Sequence, residues 1–174
     1  PPAHIAVPAI QQLAYCYDSA ELRKMYANLL ISSMDDRTAD YVHPSFAQIL
    51  KEISPDEAKL LNALAIQDSD GRITVPLLDL RSVPSNALVP FKWATILEGY
   101  NECCIGVCEH PELSLVYLGN LERLGILERC DHYSEEDKMI FEKFMTSSVV
   151  LSAMEEAELG EDMKFDFRRW SYQV

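Results

Sequence analysis

The chain has 174 residues, 48% of them hydrophobic and 25% charged, and its 28 Asp plus Glu outnumber 15 Lys plus Arg to give a net charge of -13. That length suits one domain able to bury about 70% of its unfolded surface, and no apolar run approaches the ~18 residues of a membrane span or follows a basic leader. The acidic balance argues against a phosphate-tracking surface, since nonspecific nucleic-acid affinity comes mainly from Lys and Arg displacing counterions. Five cysteines, with Cys103 and Cys104 adjacent, suit free thiols in a reducing cytoplasm better than a disulfide framework. The start at Pro1-Pro2 without Met and the end at Val174, in a strand-like pattern, suggest a piece of a longer protein.

Pro1 to Pro8 carries three prolines and is expected to be extended, with a short helix following from Ala9 to Tyr17 on the face of Ile10, Leu13, Ala14 and Tyr17. Asp18 or Ser19 can cap the next helix, where Leu22, Met25, Tyr26, Leu29 and Leu30 recur at the spacing of one buried face. The polar run Asp35-Asp36-Arg37-Thr38 ends that pattern. Pro44 then suits the first position of a new helix, with His43 as its cap and Phe46, Ile49, Leu50 and Ile53 as its apolar stripe. Ser54-Pro55-Asp56-Glu57 has the form of a capping box, predicting a helix from Pro55 to Gln67.

Asp68-Ser69-Asp70-Gly71 signals a turn, and the later positions lack the ligands that a calcium loop would need. Arg72 to Pro76 reads as a short strand ended by Pro76, and Leu77 to Ser85 as irregular or briefly helical. From Pro90 the set Trp93, Leu97, Tyr100, Cys104, Val107 and Cys108 predicts a long helix to about Glu109. His110-Pro111 restarts a helix over Glu112 to Leu124, with Gly125 as a left-handed stop, and Ile126 to Cys130 leaves as a strand. Ser134 opens an amphipathic helix carrying Met139, Ile140, Phe141, Phe144 and Met145 and running toward Ala157. Glu155 to Asp162 is an acidic exit with the character of a solvated helix end. Met163 to Val174 alternates as a half-buried strand, with an irregularity expected at Arg168-Arg169.

The run YANLLISSMDDRTADYVHPSFAQILKEISPDEAKLL, and later LGNLERLGILER, resemble the two signature blocks of the bacterial Abi-alpha family. That family is named for abortive infection and is otherwise described as a domain of unknown function. The resemblance implies a role linked to phage defence and supplies no catalytic residues.

The element order suggests a mainly α fold: an N-terminal helical segment, residues 1–53, and a winged-helix-like α+β unit with a small antiparallel sheet, residues 54–174. In that arrangement Ile73 to Val75 is the first strand, Ile126 to Cys130 pairs with Lys164 to Tyr172, and the Ser134 to Ala157 helix is an insertion in the wing. If the unit read DNA, Ser114, Tyr117, Asn120 and Arg123 would face it, yet that helix has a net charge of -1 and the preceding one is acidic.

Cys103, Cys104, Cys108, His110, Cys130 and His132 form the cluster with zinc-ligand chemistry, Cys104, Cys108, His110, Cys130 and His132 being the candidate ligands, but the spacing lacks a C-x-x-C knuckle. His43, flanked by Asp40 and Ser45, is more suited to a hinge and cap than to catalysis, and no G-x-S-x-G elbow is present. The motif residues His43, Pro44, Ser45, Phe46, Ser54 and Pro55 therefore read as structural. The expected function is a noncatalytic interaction or sensing module of the cytoplasm, without a cofactor, binding a protein partner or itself near Tyr26, Tyr41 and Phe46. The alternatives are a DNA-binding regulator, and a hydrolase or nuclease using His43 or the Cys/His group.

Overall fold

In the computed structural model, residues 3–14, 16, 18–67, 73–86, 93–131, 133 and 135–173 are described. Helices α1 (Ala3–Leu13), α2 (Ala20–Met34), α3 (Ser45–Lys51) and α4 (Pro55–Gln67) come first. Strands β1 (Thr74–Pro84) and β2 (Ala94–Tyr100) follow, then α5 (Ser114–Arg123), β3 (Glu128–Cys130), α6 (Glu135–Met145), α7 (Ser148–Glu156) and β4 (Met163–Gln173). The strands form one antiparallel sheet in the order β2-β1-β4-β3, so the fold is mixed α+β.

The first departure from the sequence pattern is α1, which covers most of the segment expected to be extended and holds Pro8 inside it. An interior proline costs a helix about 3 kcal/mol. Here Ile5 and Ala9, one turn apart, are buried against Tyr26, Leu29 and Ala47, and tertiary packing of this kind supplies most helix stability in proteins. Ile10, expected on the buried face, is exposed. Tyr15 and Tyr17 lie outside the described residues. Ser19 caps α2, its Oγ accepting the Leu22 N–H at 3.3 Å.

The larger departure is at β1 and β2. Residues 74–84 form one long strand, and Pro76 does not end it. Pro76 lies beyond the pairing reach of β2, so β1 has a partner on one side only there, and an edge position tolerates the missing N–H. Residues 94–100 form β2, and strand and turns replace the long helix over residues 94–110. The apolar spacing that suggested a helix belongs to a strand with a bulge, followed by a turn in which Cys104 O accepts the Val107 and Cys108 N–H groups. Gly99, at φ +58°, takes the left-handed conformation at the register shift between Leu78 and Leu80. The middle helix required by the winged-helix order is therefore absent from the described residues between β1 and α5.

The remaining corrections are smaller. A 3-10 turn, Pro111–Leu113, precedes α5, so the helix expected from Glu112 starts at Ser114. At its end Gly125 N–H bonds Glu122 O and Ile126 N–H bonds Leu121 O, with Gly125 at φ +72°, a Schellman stop. β3 is confined to residues 128–130 and pairs with the last residues of β4. The helix expected over 134–157 is two, because Ser147 turns the chain and caps α7 through its Oγ and the Val150 N–H. Met139 is exposed there, whereas Phe141 and Phe144 are buried. β4 pairs with β1 without a break from Met163 to Gln173, so Arg168-Arg169 introduces no irregularity.

Alternation along β1 explains the layers, since successive strand side chains face opposite ways. Val75 and Leu77 pack with Leu60, Leu118, Leu121 and Trp170 beneath α4 and α5. Leu78 packs with Phe141, Phe144 and Val150 of α6 and α7. Leu22 and Ile53 of the first 53 residues belong to the same core as Leu60 and Leu118.

Candidate functional site

The stretch from α2 to α4 builds an apolar groove of about 530 Å³. Met25, Leu29 and Ser32 line it from α2, Thr38, Tyr41 and Val42 from the connection, and Phe46, Ile49 and Leu50 from α3, while Ile53, Leu61 and Ile126 complete the surface. Tyr41 is 81% exposed and Phe46 43% exposed. The wall carrying Tyr41 is fixed to α2, because Thr38 Oγ1 donates to Ser32 O at 2.7 Å and the Thr38 and Ala39 N–H groups bond Asp35 O. Asp35 accepts a bidentate pair from Arg37 at 3.0 and 2.7 Å, which draws its carboxyl below the usual range.

The V-H-P-S-F element sets the opposite wall. His43 Nδ1 accepts the Ser45 N–H at 3.2 Å and lies 2.8 Å from Ser45 Oγ, so the hydroxyl is the donor to an unprotonated ring nitrogen. His43 is therefore not the N-cap expected from sequence: that position is Pro44, and the ring takes up one free N–H at Ser45 from outside the helix and meets Phe46 edge-on at 6.4 Å. Pro44 stands just before the first helical residue, Ser45. Tyr26 does not contribute to the groove: it is fully buried in the α1–α2–α3 core, and burial together with nearby Cys16 pushes its phenol up to about 12.

Beside the groove the α3–α4 corner meets α5 in a polar junction. Ser54 N–H donates to Glu57 Oε2 at 2.6 Å and Glu57 N–H to Ser54 Oγ at 3.2 Å, the reciprocal pair of a capping box, with Pro55 opening α4. Asp56 turns away from this box and is buried. Its carboxylate accepts the Glu109 and His110 N–H groups at 3.0 and 2.9 Å, Tyr117 Oη–H at 3.0 Å and Lys59 Nζ–H at 3.2 Å. Burial favours the neutral acid, but these donors outweigh it and hold the carboxyl far below the usual range. The Tyr117 phenol is pushed up to about 12 by burial and by its bond to Asp56.

Each of the four α5 residues considered for DNA contact has a partner within the chain. Ser114 Oγ accepts from Asn101 Nδ2, and Tyr117 reaches Asp56. Asn120 Nδ2 donates to Glu52 O and Glu57 Oε1 at 3.0 and 2.8 Å. The Arg123 side chain, 58% exposed, bonds Glu52 and the Asn120 carbonyl at 2.8 Å each.

Ser54-Pro55, the V-H-P-S-F element and the L-G stop of α5 thus meet around one corner of the fold. The family described as abortive infection alpha matches residues 1–174. The chain belongs to the abortive infection alpha family. No curated protein and no solved structure matches it.

In this abortive infection alpha chain the thiols do not gather with the histidines among the described residues. Cys104 and Cys108 sit on one turn, with Cys108 Sγ 3.6 Å from Asp56 O. The neighbouring Cys103 thiol and burial raise the Cys104 thiol, and burial followed by Cys104 pushes Cys108 up to about 12. Such groups remain protonated and are poor nucleophiles. The His110 ring points outward to Glu112 at 3.2 Å, and Cys130 lies on β3 opposite Ser171. His132 lies outside the described residues. Among the described residues no three His, Cys, Asp or Glu side chains converge as a metal-binding group. No described helix is long and apolar enough to cross a membrane.

The burial of three carboxylates, Asp56, Asp79 and Asp137, was missed by sequence reasoning. Asp79, in the middle of β1, accepts the Gly99 N–H at 2.9 Å, Trp170 Nε1–H at 3.0 Å and the Arg81 guanidinium at 3.1 Å. Its signal was a lone charge inside the apolar run from Val75 to Leu80, which requires satisfied partners if buried. Asp56 gave a weaker signal, since an acid in the first turn of a helix is ordinary on dipole grounds alone.

Proposed function

We propose that the chain is a noncatalytic protein-interaction or sensing module in bacterial phage defence that engages its partner through the groove between α2 and α3. The defence setting follows from the family description. The groove is the observation that carries the reading: an apolar concavity whose exposed aromatic residues, Tyr41 and Phe46, have no core to fill. Aromatic side chains in apolar depressions are the usual anchors of protein interfaces. The DNA-regulator reading draws less support, because Ser114, Tyr117, Asn120 and Arg123 all bond within the chain and its net charge is -13. The enzyme reading draws less support too, because the His43 Nδ1 contacts are local ones to Ser45, two residues on.

Site-specific photo-crosslinking tests this. Benzoylphenylalanine in place of Tyr41 in the intact protein, in bacteria challenged with phage, is expected to yield a discrete protein adduct that Phe46→Asp removes. The same label in place of Val149, exposed on α7, is expected to yield none. Equal adducts at both positions, or none at 41, would overturn the groove as the interaction site.

A further inference from the structure

The groove has chemistry enough to restrict its occupant. Its lining carries no charged side chain and no strand residue. An extended peptide laid there would find no sheet edge to pair with and would leave its backbone N–H and C=O groups against apolar walls. A helix satisfies those groups internally and presents side chains at i, i+3, i+4 and i+7 to the cleft. The volume, about 530 Å³, is within the range of apolar sites that hold ligands or anchoring side chains.

Charge narrows the partner further. The connection that bears Tyr41 holds Asp35, Asp36 and Asp40 against Arg37 alone, and Arg37 is committed to Asp35. Asp36 and Asp40 are exposed, with no salt bridge among the described residues. At the α3 end Glu52 pairs with Arg123, and Lys51 stands exposed beside them, so the acidic excess is confined to the connection that bears Tyr41. The groove therefore has an uncharged apolar bed, and the connection that supplies Thr38 and Tyr41 to it carries two exposed acids, Asp36 and Asp40, outside the lining. A second copy would bring a further net charge of -13 and the same acidic connection, and like charges juxtaposed across an interface are unfavourable.

Resting on the interaction reading above, we infer that the groove receives an amphipathic helix of another protein, its apolar stripe seated beside Tyr41 and Phe46 and a basic flank facing Asp36 and Asp40. Fluorescence anisotropy with the intact protein and three labelled helical peptides of about 15 residues tests it. The peptides share a Leu stripe at i, i+3, i+4 and i+7 and carry Lys, Gln or Glu on the flank. The Lys peptide is expected to bind at least about tenfold more tightly than the Glu peptide at low salt, with the gap narrowing as salt screens it. Asp36→Asn with Asp40→Asn is expected to reduce the gap, and Phe46→Asp to weaken all binding. Tyr41→Asp, at a more exposed position, guards against a Phe46→Asp effect that is only misfolding.

Equal binding of the Lys and Glu peptides would overturn the charge inference and leave the groove as a docking site. Failure of every peptide, with only a small apolar dye retained, would overturn helix docking. A Phe46-dependent dimer in light scattering would identify a second copy as the occupant and overturn the proposal. Loss of the Tyr41 crosslink in cells would instead remove the interaction reading on which the inference rests.

Discussion

The groove and the polar junction that adjoins it at the α3–α4 corner use their side chains in opposite ways. At the junction Asp56, Asn120 and Tyr117 are satisfied by other groups of the same chain, so their chemistry is spent on holding α4, α5 and the 108–111 turn together. In the groove Tyr41 is left largely in solvent and Phe46 keeps nearly half of its surface exposed. The hydrogen-bonding residues of α5 look functional in sequence but are structural in place. Of the aromatic residues the sequence marks as partner faces, Tyr41 and Phe46 line the groove and keep exposed surface, whereas Tyr26 is buried in the core.

Substitutions sharpen this contrast, and the largest effect is expected at Asp56. Asp56→Ala leaves the Glu109 and His110 N–H groups and the Tyr117 hydroxyl without their acceptor, while Lys59 keeps only Glu109. Breaking a buried, hydrogen-bonded charge pair costs about 3–5 kcal/mol, measurable by urea unfolding. The effect has a pH signature. Because the folded carboxyl is held below its unfolded value, its contribution is complete above an ordinary Asp pKa of about 3.9 and fades as pH falls below it. The stability gap between wild type and Asp56→Ala should therefore be constant from neutral pH to about 5 and shrink toward pH 2.

Asn120→Ala removes two donated hydrogen bonds and the acceptor of the exposed Arg123 guanidinium from the same corner, and should cost about 1–2 kcal/mol. Arg123→Ala breaks an exposed pair and should cost under about 1 kcal/mol, with no change in duplex DNA retention on a heparin-blocked gel shift. A large loss of salt-dependent DNA binding in Arg123→Ala would break the comparison, since α5 would then be a reading helix. Phe46→Asp should change stability least of all, because nearly half of the ring is already in water.

The sequence made the corner legible because its signals are local. Ser19, Ser54 with Glu57, and Gly125 announce caps and stops through residues three or four apart, and each forms the bonds its spacing implies. What failed was long-range. Residues 94–100 carry an apolar spacing compatible with a helix, and only pairing with β1, with Gly99 bulging at φ +58° to admit Asp79, makes them a strand. Likewise Pro8 reads as a helix breaker until α2 and α3 bury Ile5 and Ala9 on either side of it. The groove itself could not be read from periodicity, because Tyr41 lies in a connection and its exposure depends on how α2 and α3 diverge. Asp56 was hidden for a related reason: its partners are about fifty residues away in the chain.

The central claim is that the groove, and not the α5 surface, carries the biological role, and phage protection by matched variants tests it most directly. Plating efficiency would be measured in cells expressing intact wild type, Phe46→Asp or Arg123→Ala, with folding checked by the thermal midpoint of each purified protein. The account predicts that Phe46→Asp melts within a few degrees of wild type yet loses protection by at least about tenfold, whereas Arg123→Ala protects as wild type does. A folded Phe46→Asp that protects fully, or a folded Arg123→Ala that does not, would contradict it.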